Sequence, residues 1–269
     1  VIRIFVGCAP SHEDAESQAV LEWSIRKHAS EPVEIEWMKL SRDPASFWFS
    51  DGAGNGWQTS TWATPFSGFR WAIPSFCGLE GRAIYMDSDV IVMGDIAELW
   101  HQNMEPGKVA LAKGGGSWRY CVSLWDCAEA ANHIPAVAWL RNEGGSHQKM
   151  VAYFKERPHL TQAFVGDWNC LDGDGHSNLK AGPKVIHYTD MGTQPQLRHA
   201  LPRLAREGRR HWFDGEVRKH KRPDLLALFD ELLEEAAANG YGVQRYLQNP
   251  PYGEIVKKSL SGYRGRPAA

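Results

Sequence analysis

No C-x-x-C pair occurs among the 269 residues, and the five cysteines, Cys8, Cys77, Cys121, Cys127 and Cys170, are scattered and odd in number. That pattern argues against a zinc ribbon or a disulfide framework and fits a reducing compartment. N-x-S/T is missing as well, so the chain offers no N-glycosylation acceptor. No apolar run approaches the ~20 residues that span a bilayer. The phosphate-cradling pattern G-x-x-x-x-G-K-[ST] is absent, and Gly7-Cys8-Ala9-Pro10 lacks the glycine spacing of a dinucleotide-binding turn, which disfavours a Rossmann dehydrogenase. Charge of one sign is scarce too: 30 basic residues face 32 acidic ones, for a net charge of -2. A nucleic-acid partner drawn in by the whole molecule's field is therefore not expected. The chain opens directly into a strand-like run without a charged leader and apolar segment, and a soluble, cytoplasmic protein is the expectation.

What is present is an ordinary globular balance, 43% hydrophobic and 23% charged, in a length near the upper end for one core. The 12 tryptophans are unusual. Broad aromatic faces line carbohydrate and nucleobase sites, but any single tryptophan is expected in the core. Ile2 to Val6 reads as a strand, Ser11 as the cap of a helix running to about Arg26–His28, and Val33 to Trp37 as a second strand by its alternation. This β-α-β unit predicts a parallel sheet. A glycine- and aromatic-rich loop covers Asp51 to about Thr64. Phe66 to Leu79 is expected to be helical and then broken at Pro74. Val109–Ala112, Val122–Trp125 and Val185–Tyr188 are further strand candidates, and Asp95 and Glu98 have capping-box spacing for a helix reaching Trp100. Leu225 to Ala238 carries an amphipathic pattern, with the basic stretch Arg218–Arg222 before it and Lys257, Lys258, Arg264 and Arg266 after it.

Chemistry concentrates at Arg82 to Asp89, RAIYMDSD. An apolar strand ends in Asp87 and Asp89, and residues i and i+2 of an extended chain project to the same side. Two neighbouring carboxylates repel unless a cation or hydrogen bonds intervene. Ligands of open α/β sheets gather at strand carboxyl ends, and a hard ion such as Mn²⁺ or Mg²⁺ takes one or two carboxylates together with phosphate oxygens. Plain turn chemistry is the other account of D-x-D.

Phe66 to Trp100, FSGFRWAIPSFCGLEGRAIYMDSDVIVMGDIAELW, resembles the core of the family 8 glycosyltransferases, the group of glycogenin and bacterial galactosyltransferases. The resemblance runs in order through an arginine on a helix, a proline-ended segment, an apolar strand into D-x-D, a second strand and a helix ending in Leu-Trp. It implies a GT-A fold: an α/β, three-layer α/β/α sandwich with a mainly parallel central sheet and a helical C-terminal extension. Residues 1–210 would form the nucleotide-sugar-binding catalytic domain and 211–269 the extension and basic tail. The implied activity is metal-dependent transfer of a sugar, with retention, from a nucleotide diphospho-sugar (UDP-linked in relatives) to a carbohydrate, lipid or protein acceptor.

The same resemblance assigns candidate residues. Asp87, Asp89 and His187 fall on its metal ligands, and Arg70 on its arginine. Ala9, Ser11, Arg70, Asp87, Ser88 and Asp89 fall on its donor-binding positions. Gln148, in His147-Gln148-Lys149, faintly echoes the segment whose glutamine lies near the reacting sugar carbon. Lys184 to Gln196, KVIHYTDMGTQPQ, departs from the family. Gln194 replaces a lysine that contacts the diphosphate, Gln196 replaces a tryptophan, and one extra residue separates His187 from Pro195. A hydrogen-bonded strand-end histidine is the plainer account of His187. Asp167-Trp168-Asn169 is an acceptor-side segment or a buried turn, Asp126 a sugar contact or a helix cap, and Lys113–Gly116 a sugar-bordering strand end or a surface loop. The basic C-terminal residues are a solvated face or a weak contact for anionic lipid. Two rival functions stay open: a metal-dependent nucleotidyltransferase or phosphohydrolase, and a sugar-nucleotide-binding protein without turnover.

Overall fold

The computed structural model describes residues 1–115, 117–143, 145–174 and 177–255. Gly116 and the four basic residues from Lys257 to Arg266 lie outside them. In chain order the strands are β1 (Ile2–Gly7), β2 (Val33–Met38), β3 (Arg82–Asp87), β4 (Val90–Val92), β5 (Ala110–Lys113), β6 (Arg119–Asp126), β7 (Thr161–Ala163), β8 (Cys170–Leu171) and β9 (Val185–His187). The helices are α1 (Ala15–His28), α2 (Ile73–Phe76), α3 (Ile96–Trp100), α4 (Cys127–Ala130), α5 (Val137–Asn142), α6 (Ser146–Glu156), α7 (Leu197–Arg206) and α8 (Pro223–Ala238).

Two compact units are built from this chain. The first takes residues 1–8, 30–87 and 96–168 and holds a six-stranded sheet in the order β2-β1-β3-β6-β5-β7. The pairs β1–β2, β1–β3 and β5–β7 are parallel, and β6 runs against both its neighbours. This is the mixed α/β fold with a mainly parallel sheet that the opening β-α-β pattern predicts. Ala83, Ile84, Tyr85 and Met86 of β3 have no exposed surface, which is why that strand reads as an unbroken apolar run.

Most tryptophans of this unit are core, as expected. Trp48, Trp57, Trp62 and Phe69 pack ring against ring, with Trp57 and Phe69 centroids 5.2 Å apart. The Asp51–Thr64 loop carries Trp57 and Trp62 into this cluster. The packing is close enough that a Cβ at Gly68 would come within 2.5 Å of the Trp62 ring. Phe66 to Leu79 differs from the expected helix-then-break. A 3-10 turn at Phe69–Ala72 leads into α2, where Pro74 stands in the first turn, and proline is tolerated there because that N–H has no helical partner.

The second unit takes residues 9–29, 88–95 and the described residues from 169 on. Its three-stranded sheet has the order β4-β9-β8. Leu225, Phe229 and Leu232 of α8 pack with Val20, Ile91, Cys170, Ile186 and Tyr188. Each such fully buried side chain stabilises by roughly 1.5–3 kcal/mol, so the amphipathic pattern read in the sequence is the core stripe of this unit. The basic stretch before α8 is tied down by carboxylates: Arg218 to Asp190, His220 to Asp172 and Arg222 to Asp224. The helix start expected at Ser11 falls instead at Ala15, because the Ser11 hydroxyl donates to the carbonyl of Gly253 at 2.7 Å and His12 takes a left-handed backbone. Among the described residues no helix is long and apolar enough to cross a membrane.

Candidate active site

The chain passes from the first unit to the second between Asp87 and Ser88, so the D-x-D tripeptide contributes to both. In the first unit, β3 delivers Asp87 to its carboxyl end. Arg70, on the 3-10 turn, places Nη2 2.9 Å from Asp87 Oδ1 while its Nε donates to the Ser67 carbonyl. The guanidinium carbon lies 4.6 Å from the Tyr85 ring centroid, and the Tyr85 hydroxyl donates a short hydrogen bond to the same Asp87 oxygen. Burial raises the Tyr85 pKa well above its ordinary value, which keeps that hydroxyl a donor. Gly7 makes room for it, since a Cβ there would stand 3.0 Å from the hydroxyl. Burial works against the Arg70 charge, yet Asp87, Tyr85 and Cys121 together outweigh it and the guanidinium pKa is raised.

His147, on α6, accepts a hydrogen bond from Trp71 Nε1 at 2.9 Å through its Nδ1. An indole N–H only donates, so the neutral ring carries its proton on Nε2. Burial first, and the Arg70 charge second, lower the His147 pKa to about 3. The unfolded chain therefore binds a proton near pH 6.5 that the folded chain refuses, and stability falls as pH drops from there toward 3, by up to about 1.4 kcal/mol per unit. His147→Gln is expected to flatten this slope. Between pH 6.5 and 5 its urea-unfolding free energy should fall about 2 kcal/mol less than that of the parent. Equal acid sensitivity would contradict the assignment. The neighbouring Gln148 is exposed, and its Nε2 donates to the Thr61 carbonyl at 2.6 Å.

In the second unit, Asp89 and His187 come together. β4 and β9 pair antiparallel with Val90 opposite His187, and the Tyr188 N–H donates to the Asp89 carbonyl at 3.0 Å. This register sets His187 Nε2 3.2 Å from Asp89 Oδ1. On its other side, His187 Nδ1 lies 3.0 Å from Asn169 Oδ1, an acceptor that fixes the ring proton on Nδ1. A protonated ring would make this contact an ion pair, while a neutral ring would present its Nε2 lone pair beside the carboxylate oxygen. The second arrangement is the one that metal-ligating histidines take from a partner behind them. One oxygen and one imidazole nitrogen suit Mn²⁺ or Mg²⁺ in the presence of phosphate oxygens. Gln194 completes the surroundings, with its Nε2 donating to Asp89 Oδ2 and, at 2.9 Å, to the Tyr188 carbonyl. Its Oε1 accepts from Gln196 Nε2 at 2.6 Å.

Ala9 and Ser88 meet on Asp14. The Ala9 N–H donates to Asp14 Oδ2 at 2.7 Å and the Ser88 hydroxyl donates to the same oxygen at 3.2 Å. Burial pushes the Asp14 carboxyl up to about 7, and the charges of Glu13 and Asp89 add to the rise. Asp126 caps α4 by accepting from the N–H groups of Ala128 and Glu129, which decides for the helix-cap reading. Asp14, His147 and Asn169 were missed as site residues. The Asp167–Asn169 and His147–Lys149 segments carried a signal, but neither singled out the asparagine or the histidine.

The mixed sheet, with a carboxylate ending its central strand, has the GT-A fold. Residues 59–171 match the family described as Glycosyl transferase family 8. Protein CDI of Arabidopsis thaliana is 26% identical over 214 residues, covering 71% of this chain and 78% of the plant protein. Two solved structures share the fold. The WbbM bifunctional glycosyltransferase aligns with a TM-score of 0.56 at 15% identity, over 91% of this chain and 51% of its own length. The galactosyltransferase LgtC, in complex with donor and acceptor sugar analogues, aligns with a TM-score of 0.55 at 11% identity, over 88% of this chain and 96% of its own. The chain thus spans about half of WbbM.

Proposed function

We propose that this glycosyltransferase moves a sugar, with retention, from a UDP-linked nucleotide sugar to the hydroxyl of a carbohydrate, lipid or protein acceptor, with Mn²⁺ or Mg²⁺ as cofactor. The observation that carries the reading is Asp89 facing His187 Nε2 at 3.2 Å, with Asn169 behind the imidazole. Asp89 and His187 would hold the ion, and Asp87, two residues earlier in the chain, is the second carboxylate by its spacing. The bound ion would supply neutralisation of the charge that builds on a leaving nucleoside diphosphate. Arg70 and Tyr85 fix Asp87 in place by their bonds to its Oδ1. In the transfer, the acceptor oxygen bonds to the anomeric carbon as the bond from that carbon to the phosphate oxygen breaks. The acceptor proton passes to the leaving phosphate. LgtC, with the same fold, binds donor and acceptor sugar analogues, which supports the reading.

The test is a panel of nucleotide sugars, each with and without Mn²⁺, read by thermal unfolding and by product. The matching donor at 100 times its dissociation constant should stabilise the protein by about 2.7 kcal/mol, only with metal present, and turnover should release a nucleoside diphosphate. Release of pyrophosphate or inorganic phosphate in its place would assign the site to nucleotidyl transfer or phosphate hydrolysis.

A further inference from the structure

Near the end of the described residues the chain returns to the turn that opens the second unit. After α8 and the 3-10 turn Val243–Tyr246, the Tyr246 hydroxyl donates to Glu22 Oε2 on α1 at 3.0 Å and anchors the chain there. Gln248, Asn249, Pro250 and Pro251 then run exposed, in neither helix nor strand. Two residues on, the chain is caught again. The Ser11 hydroxyl donates to the Gly253 carbonyl at 2.7 Å and accepts from the Gly253 N–H at 3.1 Å. The Tyr252 N–H donates to the Pro10 carbonyl at 3.4 Å, and Tyr252 itself is buried. Arg209 holds the same turn by donating to the Ser11 carbonyl. Gly253 suits this contact because its φ is +117°, a backbone that residues with a side chain rarely adopt.

Resting on the nucleotide-sugar reading above, we propose that residues 247–253 are an autoinhibitory strap, closed on Pro10 and Ser11 in the free protein and displaced when the nucleoside diphosphate part of the donor binds at that turn. Ligands of open α/β sheets bind where the chain leaves the carboxyl ends of strands, and residues 8–11 are the chain leaving β1. A serine hydroxyl has one proton to give. Gly253 takes it and also fills an acceptor position of the same oxygen. The Ser11 hydroxyl therefore reaches a nucleoside as a donor only once the strap has gone. Little holds the strap between its two ends, since no residue from Leu247 to Pro251 is buried, and segments with few buried contacts open at low cost in free energy. A strap closed in about nine molecules of ten raises the apparent dissociation constant of the donor roughly tenfold.

The experiment follows amide hydrogen exchange along the full chain with and without UDP and Mn²⁺, and measures UDP binding by calorimetry. Saturating UDP with Mn²⁺ should speed exchange of the Tyr252 and Gly253 amides at least tenfold. Gly253→Val puts a branched side chain on a backbone at +117° and should loosen the strap without touching the turn. Its Tyr252 amide should exchange faster with no ligand present, and its dissociation constant for UDP with Mn²⁺ should fall about tenfold. Exchange that stays level or slows as UDP binds the parent chain makes the segment a fixed wall and overturns the strap, while the donor reading stands. A variant that opens the segment yet binds UDP no more tightly overturns it as well. Failure of UDP to bind either protein removes the UDP-donor reading and the strap with it. The decisive exchange is read on the unsubstituted protein and does not depend on a variant folding.

Discussion

Asp89→Asn is expected to remove function while leaving the fold as stable as before, or more stable. Sugar transfer should drop by at least about 100-fold, the scale on which loss of charge stabilisation at a reacting centre is felt. Stabilisation by UDP-sugar with Mn²⁺ should vanish. The reason is local: Asp89 supplies the oxygen that faces His187 Nε2, and an amide cannot provide that negative charge. The metal-free protein should respond in the opposite direction. Asp14 is buried, and the Asp89 charge adds to the rise of its pKa to about 7. Removing that charge relieves a repulsion between like groups, so the urea midpoint without metal should stay level or rise. Functional sites commonly carry this kind of stability cost. A variant that keeps metal-dependent donor binding would sink the proposed site. One that loses binding only because it unfolds would sink the account of Asp14.

Gln194 gives this site a character of its own. In the sequence it marks a departure, a neutral amide where family 8 relatives carry a lysine. In the structure the amide is engaged on both sides, donating to Asp89 and Tyr188 and accepting from Gln196. A lysine ammonium has no acceptor to offer Gln196. The position therefore orients Asp89 and contributes no formal charge.

The legible parts of this protein were those encoded by local pattern. β3 is announced by four consecutive buried residues ending at Asp87, and α8 by apolar residues at helical spacing. The fold class follows from the opening β-α-β unit. What could not be read depends on bonds between residues far apart in the chain. Asn169 acquires its role only when β9 brings His187 to it across 18 positions. Asp14 looks like an acidic residue suited to a helix start until Ser88, 74 positions away, donates to it. Ser11 has the right chemistry for a cap, but its hydroxyl is taken by Gly253. His147 was passed over for Gln148 next to it, because the indole that fixes its tautomer comes from Trp71 in another segment.

Arg70→Met is expected to cost about 3 kcal/mol of unfolding free energy, the lower end of what breaking a buried ion pair costs. Arg70 and Asp87 side chains retain 9% and 16% of their accessible surface, so water cannot easily replace the lost partner. Methionine keeps much of the length that lies over the Tyr85 ring, which confines the change to the charge. One further measurement separates this from a packing defect. Adding Asp87→Asn to Arg70→Met should recover a large part of the loss, since removing both charges leaves no uncompensated ion. A single variant within about 0.5 kcal/mol of the parent, or a double variant as unstable as the sum of its parts, would mean that Arg70 does not hold the end of β3 by its charge.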